Sequence, residues 1–85
     1  MKPQLILVFV KTGPEGLLYA TSTDLSGLHV AALSRKDLEQ KVGEAIENLH
    51  RAAGRDVKAR QVESPSERIM IWVAVPHSVE LDQCA

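Results

Sequence analysis

Residues 34–54, SRKDLEQKVGEAIENLHRAAG, carry the one long helical pattern of the chain and limit how the rest can fold. Ser34 is a typical N-cap residue, and its hydroxyl is predicted to accept a hydrogen bond from the amide of Asp37. Gly54 follows the last periodic residue and suits the left-handed conformation that ends many helices. We therefore predict a helix over 35–53. Its apolar stripe at helical spacing consists of Leu38, Val42, Ala45, Ile46 and Leu49.

Two further features of this helix make specific predictions. Gly43 in the helix interior costs about 1 kcal/mol relative to alanine, so we expect another element to pack closely there. Two acid-first pairs four residues apart favour helix-stabilising ion pairs. These pairs are Asp37 with Lys41 and Glu47 with Arg51.

Short apolar segments on both sides of the helix predict strands. Turn residues at 12–16 and a polar loop at 22–27 separate the first three segments. We expect one domain over 1–76, followed by a C-terminal tail at 77–85. The predicted strands are 5–10, 17–21, 28–33 and 69–75, and 57–63 is expected to be extended or a short strand.

This element order predicts an α+β fold of β-β-β-α-β type. The first three strands form a meander, and a right-handed crossover through the helix brings the last strand beside the first. The first and last strands are the only ones that are apolar on both faces, as in a central parallel pair. We therefore expect sheet order 3-2-1-4, with the helix on one face.

A single helix can cover only one face of such a sheet, so an apolar face is left over. Contiguous apolar surface on a small protein usually marks an interaction site, which predicts a homo-oligomer. The competing interpretation places Trp72 under the helix and covers the free face with residues 55–68 or the tail. The interface candidates are Trp72, first of all, with Met70, Ile6 and Val8.

Composition sets the class of protein. Eighty-five residues with a net charge of −1 make one small domain that has no overall attraction for nucleic acid or anionic membranes. Cys84 is the single cysteine, which excludes an intrachain disulfide or a cysteine-based zinc site. No apolar run approaches the roughly 20 residues of a membrane span. We expect a cytoplasmic protein without a signal peptide or anchor.

Catalytic, metal and cofactor sites are not predicted. Two-metal nuclease chemistry needs carboxylates that converge from the first strand and its neighbours, and the first strand has none. Glu39, Glu44 and Glu47 are expected on the solvated side of the helix. The histidines are scattered, and His50 is expected to be favoured in its charged form near the helix C-terminus. They are His29, His50 and His77.

Nucleic-acid binding is not predicted either. The one basic concentration contains Asp56 and is explained by the helix C-terminus and a solvated face. Three aromatic residues, Phe9, Tyr19 and Trp72, do not by themselves indicate a stacking platform. The basic residues in question are Arg51, Arg55, Lys58 and Arg60.

Residues 19–28, YATSTDLSGL, followed by a short strand and a capped amphipathic helix, resemble the HicB-like antitoxin family. Asp24, Leu25 and Gly27 match the family's loop, whereas Ser26 replaces its usual proline and Leu28 its frequent cysteine. The resemblance spans about residues 4–75. It implies a partial ribonuclease H fold and a non-catalytic antitoxin that occludes a small toxin ribonuclease. It also adds Asp24 and Leu25 to the interface candidates.

One departure from the family limits what the resemblance implies. Many members carry a C-terminal DNA-binding module, but only ten residues follow Val75 in this chain. Operator binding is therefore not expected. The alternative hypothesis is a stand-alone structural or regulatory homo-oligomer with the same fold and no toxin partner.

Overall fold

The computed structural model describes residues 3–62 and 65–76. A 3-10 turn at Pro14–Gly16 joins the first two strands, and the polar loop at 22–28 joins the next two. The predicted tail at 77–85 lies outside the described residues. The elements in chain order are β1 (Gln4–Thr12), β2 (Leu18–Thr21), β3 (His29–Ala32), α1 (Arg35–Ala52), β4 (Val57–Gln61) and β5 (Ile69–Pro76).

The five strands form one antiparallel sheet in the order β3-β2-β1-β5-β4. The helix α1 packs on one face of this sheet, and its contacts extend from β3 at one edge to β4 at the other. The predicted α+β class with one helix on one face is therefore confirmed. The extended segment expected at 57–63 forms the edge strand β4.

The predicted parallel pairing of the first and last strands is wrong. Leu5 lies opposite Val73, and Phe9 opposite Ile69, in an antiparallel ladder. The crossover through α1 leads from β3 to β4, which runs in the same direction as β3 at the far edge of the sheet. A hairpin then returns the chain as β5 between β4 and β1. The predicted order 3-2-1-4 therefore lacks one strand, and the last strand is an inner strand rather than an edge.

Alternation along the strands separates a buried inner face from an outer face. On β1, Ile6 and Val8 are fully buried and point toward α1. On β5, Met70, Trp72 and Ala74 occupy the same side. Because side chains alternate along a strand, the intervening residues lie on the outer face.

The helix follows its sequence signals closely. Ser34 Oγ accepts a hydrogen bond from the Asp37 amide at 3.2 Å, and Gly54 has a φ of 82° just beyond the helix end. The position that Gly43 leaves open is filled by the indole of Trp72. Of the predicted stripe, Leu38, Val42 and Ile46 are fully buried, while Ala45 and Leu49 are partly buried against the core.

The two predicted ion pairs of the helix are replaced by other contacts. Lys41 donates to the carbonyl of Ala31, and Glu47 accepts from the amide of Ala59. The ion pair that the described residues do form along this helix joins Arg35 and Glu39 at 3.3 Å. Tertiary contacts with the two sheet edges thus take precedence over local pairing in the helix.

Candidate functional site: the outer face of the sheet

An apolar surface, which we call the outer face, occupies the middle of the sheet on the side opposite α1. Leu5 is 62% exposed and Leu7 38% exposed on β1. Their cross-strand neighbours on β5 are Val73 and Ile71, which are partly exposed. Val62, 61% exposed, continues the surface beside Ile71, whose carbonyl accepts its amide. The strand pattern predicted an exposed apolar set without indicating which set it would be.

The structure places the sequence-predicted interface residues on the inner face. Ile6, Val8 and Met70 are completely buried, and Trp72 is 6% exposed. Trp72 lies under α1, as the competing interpretation of the sequence proposed. The other part of that interpretation is wrong for the described residues, because β4 extends the sheet sideways instead of covering the outer face.

Asp24 and Leu25 hold the 22–28 loop against β1. The Asp24 carboxylate accepts a hydrogen bond from the Leu7 amide at 2.9 Å, and Ser22 Oγ donates to the Leu7 carbonyl at 2.6 Å. These side chains take the place of a neighbouring strand, since β2 pairs with β1 only from Phe9 onward. Leu25 is buried in the core. In the structure, both residues of the family-like loop therefore support the fold at the border of the outer face.

Each edge of the sheet has one backbone group bonded by a side chain from α1. Glu47 Oε2 accepts the amide of Ala59 on β4 at 3.0 Å, and Lys41 Nζ donates to the carbonyl of Ala31 on β3 at 3.2 Å. Exposed strand edges otherwise offer unpaired amides and carbonyls to other chains. These two contacts reduce what each edge offers to a further strand.

The charged side chains on the described strands are all basic. Lys11 lies near the C-terminal end of β1. Lys58 and Arg60 lie on β4, opposite Val75 and Val73. Within residues 3–62 and 65–76, the carboxylates lie on α1 and in the segments between the strands. The outer face therefore combines an aliphatic centre with positive charges at two separate borders.

His50 is a buried polar residue beneath the C-terminal end of α1. Its Nδ1 accepts a hydrogen bond from Arg55 Nε at 3.1 Å, and its Nε2 has no partner among the described residues. Burial, with a smaller contribution from the Arg55 charge, lowers the pKa of His50. The expectation that a charged His50 stabilises the helix end is therefore wrong. The folded protein holds this imidazole in its neutral form.

We expect this histidine to destabilise the fold on mild acidification. Its pKa in the unfolded chain is about 6.5 and its folded pKa is lower, so the unfolded state takes up the additional proton. The stabilisation that His50 provides is then fully present above about pH 6.5 and is lost progressively as the pH falls from there to about 5.5. Urea unfolding at the two pH values measures this loss. His50→Leu should remove it, and His29→Gln, which alters an exposed histidine, should not.

The carboxylate cluster that two-metal nuclease chemistry needs is not assembled in the described ranges 3–62 and 65–76. Glu39 pairs with Arg35, Glu47 accepts the Ala59 amide on β4, and Glu44 is exposed on the helix. Histidine and carboxylate side chains form no group of three that could hold a metal ion in this part of the chain. His77 and Cys84 lie outside the described residues.

Comparison with protein-family models, with curated proteins and with solved structures gave no match to this chain. Within the part of the chain that the structure describes, no helix has the length and apolar character needed to cross a membrane. The function is therefore argued from the geometry of the outer face.

Proposed function

We propose that this chain is a non-catalytic protein-interaction domain that pairs with a second copy of itself through the outer face. The observation that carries the proposal is the exposed aliphatic surface of Leu5, Leu7, Ile71 and Val73 on the two inner strands β1 and β5. Removing such surface from water contributes about 25 cal/mol per Å². Because Lys41 and Glu47 each occupy one backbone group at the sheet edges, face-to-face packing of two sheets is favoured over edge pairing.

The available area suits a small dimer. The ladder between β1 and β5 spans six residue pairs. Three strands, β1, β5 and β4, lie side by side along this ladder, and at about 3.4 Å per residue and about 4.8 Å between strands they give a footprint of about 300 Å². Two such faces cover about 600 Å², which is the size of a small, weak interface.

The distribution of charge favours one symmetry. Because β1 is the middle strand, a two-fold axis parallel to it places β4 of one protomer on the β2 and β3 side of its partner, level with the 22–28 loop. Lys58 and Arg60 of the two protomers are then kept apart. An axis across the strands would instead bring the two β4 strands, and their like charges, together.

The test is a charge placed in the centre of the outer face. Leu7→Arg should convert a dimer to a monomer at micromolar concentration, because dimerisation would bury two unpaired guanidinium groups. Analytical ultracentrifugation measures the change, and circular dichroism should show an intact fold. Gln40→Arg adds the same charge on the exposed side of α1 and should leave the dimer intact.

A monomeric wild-type chain would contradict this pairing and indicate that the outer face is covered by the chain's own tail or by another protein. A dimer that is equally stable in Leu7→Arg would place the interface elsewhere. Each result excludes the outer face as the self-association surface.

The resemblance to HicB-like antitoxins supports a more specific proposal, in which the domain inhibits a small toxin ribonuclease. The β-β-β-α order and the 22–28 loop support the proposal, whereas β4 is an additional strand and β5 runs antiparallel to β1 where that fold has a parallel pair. If a small basic protein is encoded next to this chain, co-expression should suppress its ribonuclease activity. The chain alone, with magnesium or manganese, should not cleave RNA. Without such a neighbour, the stand-alone oligomer is the favoured alternative.

A further inference from the structure

A second surface feature, which we call the basic cleft, lies at the end of the sheet where β1 extends beyond β5. The ladder between these strands stops at Phe9 and Ile69, and β1 continues for three residues to Thr12. The resulting notch is closed at its inner end by a hydrogen bond from the Val10 amide to the Arg68 carbonyl at 2.7 Å. Its volume is about 850 Å³. Residues lining the cleft include Phe9, Lys11, Arg35, Glu67, Arg68 and Ile69.

The lining has an excess of positive charge. Lys11, Arg35 and Arg68 contribute three cations, against one carboxylate from Glu67. Arg35 has a positioning role, since its Nη1 donates to the Glu67 carbonyl at 2.6 Å and its Nε pairs with Glu39. These contacts tie the start of α1 to the turn before β5. They leave Lys11 and Arg68 as the cations best placed to meet an anionic ligand.

An exposed aromatic ring accompanies these cations. Phe9 is 37% exposed within the cleft, and Tyr19, 39% exposed, lies on the same sheet surface one strand away. The register places Tyr19 opposite Lys11, diagonal to Phe9, within the spacing at which aromatic side chains on adjacent strands act together. The Tyr19 ring lies against Gly13, in space that a side chain at that position would occupy. The structure thus brings together two aromatic rings that the sequence alone left unconnected.

We propose that the basic cleft binds a nucleotide unit, with its base stacked on Phe9 and its phosphate held by Lys11 and Arg68. Stacking on an exposed ring beside basic residues is how proteins bind single-stranded nucleic acid without reading its sequence. An apolar floor alone would suit any hydrophobic ligand, and cations alone would suit any anion. The adjacent ring and cations favour a ligand that is both planar and anionic.

Tyr19 provides a test of whether the cleft binds a free nucleotide or a nucleotide within a single strand. It lies outside the cleft lining, on the neighbouring strand, where it can stack the next base of a strand. Tyr19→Leu should therefore weaken the binding of a single-stranded oligonucleotide and leave the binding of a mononucleotide unchanged. Binding of a mononucleotide alone would identify a free nucleotide as the ligand.

The experiment measures binding of a short labelled single-stranded RNA by fluorescence anisotropy, and of a nucleoside monophosphate by amide chemical shifts. Phe9→Leu should weaken binding at least about fivefold, whereas Phe9→Tyr keeps the ring and should retain it. Lys11→Ala and Arg68→Ala should each weaken binding and lower the salt dependence by about one phosphate contact. Lys58→Ala removes a cation at the other end of the sheet and should change neither ligand's affinity.

Several results would overturn the assignment. The first is the absence of saturable binding of either probe at low salt. Equal affinity in Phe9→Leu and Phe9→Tyr would show that no base is stacked. Equally effective competition by polyglutamate would show a general site for acidic chains instead of a nucleotide site. Phe9 lies on the same sheet face as Leu5 and Leu7, so the proposed dimer would partly cover it. The monomeric Leu7→Arg variant should therefore bind both probes at least as tightly as the wild type, and failure of the dimer would leave the cleft proposal standing.

Discussion

Ile46→Ala is expected to lower the free energy of unfolding by about 2–5 kcal/mol, because it leaves a cavity in the fully buried seam between α1 and the sheet. A domain of this size has about 4–13 kcal/mol in total, so the loss is a large share of its stability. Urea denaturation followed by circular dichroism measures the change.

Leu33→Ala is the matched control for this experiment. Leu33 is also a large aliphatic residue, but it is 76% exposed just before the helix and lies outside every strand. Its replacement should cost no more than about 0.5 kcal/mol. Similar losses for Ile46→Ala and Leu33→Ala would show that the helix stripe is not the core-facing side.

Trp72→Ala is expected to cost about 3–5 kcal/mol, the usual range for deleting a large buried aromatic side chain. Its indole lies between β5 and α1, with its N–H directed at the Met70 sulfur 3.5 Å away. A Cβ added at Gly43 would lie 3.1 Å from Cζ3 of this ring. The indole can pack this closely against α1 because Gly43 has no side chain, and Trp72→Ala would remove that contact.

A double-mutant cycle tests this contact directly. Gly43→Ala normally gains about 1 kcal/mol in a helix, but crowding against Trp72 should cancel the gain in the wild-type chain. In a Trp72→Phe background, where the crowding atoms are absent, the gain should appear. Equal effects of Gly43→Ala in the two backgrounds would rule out the close contact as the reason for this glycine.

Local signals in the sequence predicted the elements well, because each depends on near neighbours. Ser34 and Gly54 bracket the helix, and the spacing of Leu38, Val42 and Ile46 gives its buried side. The turn chemistry after β1 and the apolar run at 69–75 likewise located the strands that the structure contains. The segment at 57–63 has weaker alternation, and its assignment as a strand depended on the partner it finds in β5.

That one segment explains the main error in topology. Counting β4 as a strand changes the destination of the crossover and reverses the direction of β5 relative to β1. The predicted interface residues differ from the exposed ones for a related reason. Ile6 and Leu7 are equally apolar, so alternation identifies two faces without deciding which one α1 covers. The site residues Leu5, Leu7, Ile71 and Val73 therefore became visible only in the folded sheet.

The sequence by itself determined the α+β class, the helix with its caps and core stripe, and the presence of more apolar strand surface than one helix can cover. Only the tertiary structure decided that Trp72 packs on Gly43, that Glu47 and Lys41 bond to the edge strands, and that Phe9 and Lys11 line one cleft with Arg68. The physical reason is separation along the chain. Caps and periodicity act between residues a few positions apart, whereas these contacts join distant segments whose relation depends on strand order and register.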